Sequence, residues 1–200
     1  MIKAISLAGA LSLALSACGG ADAGDAQANA AAATPAAAAK AADDHGEEGG
    51  SPSLLLAADG MMPGGTEESM VKFGANSLDT IEKVTPLLGE TYQKEESSEC
   101  GAGPMEFANW ENAVLNFQNG EFVGWSLQAA SDKPFIGTPG GLTIGSPRSD
   151  LDAALPKPLT VEQTSLGTEF NAGGFSGLLS DATPAAKVTA LWAGTNCAMR

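Results

Sequence analysis

The dipeptide Asn119-Gly120, set between two alternating apolar runs, constrains this chain more than any other feature. A two-residue type I′ turn needs positive φ at both central positions, and Asn-Gly is among the pairs that adopt it most readily. The flanking segments, Ala113 to Gln118 and Glu121 to Leu127, therefore read as the arms of a β-hairpin. An unbroken register sets Phe117 opposite Phe122 and Val114 opposite Trp125. Leu115, Phe117 and Phe122 then point to one face, and Val114, Val123, Trp125 and Leu127 to the other. An antiparallel sheet is thus the element around which the rest must be arranged.

A loose internal repeat with a period near 70 organises the neighbouring segments. In the first copy, Asn76 or Ser77 can cap a helix whose apolar positions Leu78, Ile81, Val84 and Leu88 fall near one face. Pro86 ends or kinks it, and Gly89 closes the unit. In the second copy, Ser146-Pro147 supplies a cap with proline at the first helical position. Leu151, Ala154 and Leu155 form a short apolar face before Pro156. Strands follow each helix, over Thr168 to Leu179 and Lys187 to Ala193 in the second copy, with Trp125 and Trp192 near the end of each unit. This reading predicts an α+β domain of two helix-then-antiparallel-strand units, copies at about 70–132 and 138–200, with helices against one face of a sheet. The element order is similar to that of tandem-repeat exported domains of the beta-lactamase-inhibitor-protein type and of small outer-membrane assembly lipoproteins. That likeness rests on element order over about 130 residues and carries over no functional residue.

The first part of the chain has a different composition. From Gly19 to about Glu68 it is Ala, Gly, Asp, Glu, Pro and Ser, with a few leucines at Leu54-Leu55-Leu56. Residues 18–69 are therefore expected to be a disordered linker, because such a composition cannot repay the entropy of ordering. Its reach is on the order of 40 Å for about 45 flexible residues. His45, the only histidine, falls in this acidic stretch and reads as solvated.

Met1-Ile2-Lys3 and the uncharged run Ala4 to Ala17 have the form of a secretory signal over residues 1–17, too short to span a bilayer. The closing Leu15-Ser16-Ala17-Cys18 resembles the lipobox of bacterial lipoproteins at all of its positions. That resemblance implies diacylglyceryl transfer to the Cys18 thiol, cleavage before Cys18, and often N-acylation by a fatty chain such as palmitate. Gly19, where an aspartate commonly marks inner-membrane retention, then favours the periplasmic face of the outer membrane. The net charge of −14, from 24 acids and 10 bases, disfavours nucleic acid and anionic head groups as partners. Membrane attachment then falls to the lipid.

Cys100 and Cys197 remain once Cys18 is acylated, and an even pair in an oxidising compartment is expected to form a disulfide. With no histidine in the domain, Ser-His-Asp, Cys-His and His-ligated metal chemistry each lack a required part. No catalytic, cofactor-binding or metal residue is assigned, and no cofactor is expected. Glu95, Glu96, Glu99, Glu106 and Glu111 leave a carboxylate-dependent cell-wall glycan hydrolase as an alternative, provided two of them converge. Val114, Val123, Trp125 and Trp192 form the candidate binding face. The expectation is a lipid-anchored, non-enzymatic binding or structural domain whose partner is an envelope protein or cell-wall component. An inhibitor of periplasmic enzymes is the third reading.

Overall fold

The computed structural model describes residues 53–131 and 134–197. The signal, Cys18, the linker up to residue 52 and His45 lie outside the described residues. The chain runs through β1 (Ser53–Ala57), β2 (Gly60–Pro63), β3 (Val71–Lys72), α1 (Ser77–Leu88), β4 (Gln93–Ser97), β5 (Met105–Asn109), β6 (Ala113–Gln118) and β7 (Glu121–Leu127). It continues through β8 (Phe135–Gly137), α2 (Leu151–Ala154), β9 (Leu159–Thr164), β10 (Gly167–Ala172), β11 (Phe175–Leu179) and β12 (Val188–Gly194).

These strands build two sheets. The larger has eight strands in the order β4-β5-β6-β7-β12-β11-β10-β9, and every neighbouring pair in it is antiparallel. Two four-strand meanders thus meet at their last strands, β7 and β12. The smaller sheet has the order β3-β2-β1-β8, with β8 parallel to β1. One face of the large sheet supplies Leu115, Phe117, Phe122, Trp125, Phe170 and Leu191 to a single apolar core, which Leu54, Leu56, Met61 and Ile136 of the small sheet complete.

An α+β class built from helix-then-strand repeats is not what the chain adopts: among the described residues it is mostly β-sheet with two short helices. The second helix is a single four-residue turn, preceded by a 3₁₀ turn at Arg148–Asp150 and ended where Leu155 becomes extended. Polar edge strands tip the balance further. β4 reads Gln-Lys-Glu-Glu-Ser and is largely exposed, so no apolar alternation announces it. β9, the opposite edge, reads Leu-Thr-Val-Glu-Gln-Thr, with three of its six residues exposed and none buried. Such charged edges discourage pairing with other chains.

The folded part also begins earlier than position 70. Leu54 and Leu56, expected within the linker, are fully buried on β1, and Met61 is fully buried on β2. β1 pairs with the adjacent β2 on one side and with the distant Phe135–Gly137 on the other.

α1 spans 12 residues, and its cap is the Asn76 side chain, which accepts from the backbone N–H groups of Leu78 (2.9 Å) and Asp79 (3.3 Å). Its buried stripe differs from the expected one. Leu78 is 74% exposed, and Thr80 is buried instead. The Thr80 hydroxyl donates to the Asn76 carbonyl at 2.7 Å, so a polar group enters the core already satisfied. Among the described residues no helix is long and apolar enough to cross a membrane.

Candidate functional site

The hairpin turn forms at Asn119 (φ 54°) and Gly120 (φ 80°), and Phe117 does face Phe122. Between Asn116 and Phe117 the pairing shifts by one residue, so that Asn116 lies opposite Gly124 and Leu115 opposite Trp125. Val114 consequently pairs with Ser126, not Trp125. A β-bulge of this kind sends every later side chain of the bulged strand to the opposite face. Trp125 therefore enters the core, 1% exposed, where its indole N–H donates to the Ala57 carbonyl at 2.8 Å. Val123, the residue at the bulge, is half-buried and does not line the groove described below.

Register places one row of residues across the outer face of the large sheet. Asn109 of β5, Val114 of β6, Ser126 of β7 and Trp192 of β12 are successive cross-strand partners. The row beside it runs from Glu95 through Phe107 to Asn116. Leu178 and Ala190 continue the surface on β11 and β12. Together these residues line a groove of about 390 Å³, to which Gln128, Leu166 and Asn196 also contribute. That volume lies at the lower end of small-ligand sites. Its lining is apolar with amides and one hydroxyl; Glu95 is the single charged member and no cation is present.

The three tryptophans sort by their indole N–H groups. Trp110 is buried and donates to Gly89 at 2.9 Å, and Trp125 is satisfied by Ala57. Trp192 is half-buried in the groove, and its N–H has no hydrogen-bond partner among the described residues. A tryptophan set in a concave surface with a free donor offers both a flat apolar face and a polar handle.

The C-terminal segment forms one wall. After β12, the Thr195 N–H donates to the Val123 carbonyl at 2.8 Å. Asn116, 2% exposed on the groove floor, donates through Nδ2 to the Thr195 carbonyl (3.0 Å) and to Asn196 Oδ1 (2.6 Å). The approach is close enough that a Cβ on Gly124 would lie 2.3 Å from the Thr195 carbonyl oxygen. Cys197 then closes a disulfide with Cys100, Cα atoms 4.9 Å apart, as the sequence predicted.

Of the four residues assigned to a binding face, Val114 and Trp192 line this groove, whereas Trp125 and Val123 do not. Phe107, Asn109, Asn116 and Ser126 were missed; their signal was the alternation along β5 and β6 once the bulge in β7 is known. The five acids considered for glycan hydrolysis do not converge here, since Glu95 alone reaches the groove. Glu96 and Glu106 are cross-strand partners at the β4-β5 edge, where Lys94 Nζ lies 2.8 Å from Glu106 and 3.5 Å from Glu96. The Lys94 ammonium is held above its ordinary pKa by its hydrogen bond to Glu106, then by that residue's charge. All three side chains are largely in water, so the cluster is a screened surface network. Among the described residues no group of acids, histidines or cysteines could hold a metal ion. No protein-family model, curated protein or solved structure matches the chain.

Proposed function

We propose that this chain is a lipid-anchored envelope protein whose folded part is a non-catalytic binding domain, with the outer face of the eight-stranded sheet as its working surface. The observation that carries the binding role is Trp192, half-buried in a groove with its indole N–H unpartnered, while the other two tryptophans are buried and satisfied. The lining supports recognition more than chemistry. It joins apolar walls to amides and holds one carboxylate, whereas glycoside hydrolysis uses two. The Leu15-Ser16-Ala17-Cys18 sequence supports anchoring through the Cys18 sulfur, at the periplasmic side of the outer membrane.

The anchor and the face are tested separately. Cys18→Ser should move the exported chain from the detergent-soluble envelope fraction to the soluble one, and mass spectrometry of the native terminus should show fatty acyl chains. For the face, oxidative footprinting reads the peptide containing Trp192 in the purified lipoprotein and in intact envelopes. Protection of Trp192 in envelopes is the expected result. Equal oxidation in both settings would remove the binding role from this face while leaving the anchor untouched.

A further inference from the structure

The chemistry of the groove narrows what can occupy it. Its lining carries one carboxylate and no cation, so a phosphate or carboxylate ligand would meet no compensating charge. A cation is no better served. Glu95 on β4 and Trp192 on β12 are separated by four strand spacings, roughly 19 Å, so one positive group cannot use both. An extended polypeptide gains most from a sheet by adding to its edge, where free backbone groups lie, and a sheet face offers none.

What the face does offer is a flat indole at Trp192, a second ring at Phe107, and neutral amides at Asn109 and Gln128. Sugar rings have the matching surface. A pyranose presents C–H groups on its flat faces and hydroxyls around its rim, and each hydroxyl both donates and accepts. Side-chain amides also both donate and accept, and so pair with hydroxyls in either sense. Phe107 on β5 and Trp192 on β12 are three strand spacings apart, roughly 14 Å. That separation suits a short chain of rings better than a single one.

Resting on the binding role proposed above, we infer that this groove binds a neutral oligosaccharide, with one ring stacked on Trp192 and its indole N–H donating to a hydroxyl. The experiment titrates the full chain with linear neutral tetrasaccharides of glucose and of N-acetylglucosamine, following the Trp192 indole N–H resonance by NMR. At least one of them should shift that resonance and leave those of Trp110 and Trp125 in place. By calorimetry, which does not depend on that resonance, Trp192→Ala should weaken binding about tenfold or more. Trp192→Phe, which keeps a ring but loses the donor, should weaken it less and guards against a folding artefact. Affinity should hold when salt is raised to about 0.5 M, since no ion pair is involved. If no sugar moves the resonance, the oligosaccharide assignment is overturned. In that event, protection of Trp192 by a polypeptide in envelopes preserves the binding face, and absence of any protection removes both.

Discussion

Trp125 and Trp192 have the same side chain in opposite surroundings, and the difference lies in what their indole N–H groups meet. Trp125 gives its proton to Ala57, a carbonyl on the smaller sheet, and so fastens one sheet to the other. Replacing it by phenylalanine removes that hydrogen bond and leaves a void where the larger ring had been. The expected cost is about 2–4 kcal/mol, read as a lower denaturant midpoint with an unchanged slope. Trp192→Phe leaves a half-exposed ring in place and should cost less than about 1 kcal/mol. Equal losses at the two positions would show that the groove tryptophan is part of the core. Residue identity alone could not separate them, because the assignment of face turns on one extra residue in β7.

At the scale of elements, legibility followed the distance over which the determining contacts act. The β6-β7 turn was readable because Asn119-Gly120 carries its own φ requirement. The start of α1 was readable because Asn76 satisfies donors two and three residues away. β1 was not, since Leu54-Leu55-Leu56 in an acidic, small-residue context becomes a strand only beside Met61-Met62 and the remote Phe135–Gly137. The β7 bulge depends on contacts further away still. Gly124 is where the C-terminal segment crosses, and it lacks the Cβ that would strike Thr195. Gly124→Ala should push that segment away, break the Thr195-to-Val123 hydrogen bond and strip Asn116 of both acceptors. A loss on the order of 1–3 kcal/mol is expected. Hydrogen exchange at the Thr195 amide should quicken more than exchange in β10 or β11. Uniform change across the sheet would mean that the glycine serves the strand and not the crossing.

For the whole molecule, the Cys100–Cys197 bond is the longest-range constraint the sequence made visible, because these are the two cysteines that follow the expected signal and lipobox. It closes a loop whose ends are 97 residues apart and which contains β5 through β12, hence seven of the eight strands of the large sheet. In the chain-entropy account the bond acts mostly on the unfolded state, and a loop of this length corresponds to about 4.7 kcal/mol. It also has a local duty in the folded state, where Cys197 is part of the groove lining beside Asn196. The two roles predict different signatures. The double substitution Cys100→Ala with Cys197→Ala should lower global stability by several kcal/mol in guanidinium denaturation, with most of the change in the folding rate if the effect lies in the unfolded chain. It should also release the 195–197 wall, seen as faster amide exchange there at denaturant concentrations too low to unfold the sheet. A variant with a loosened wall and unaltered global stability would assign the bond to the groove alone. A destabilised variant with a fully protected wall would leave the Asn116 hydrogen bonds as sufficient to hold the C-terminal segment in place.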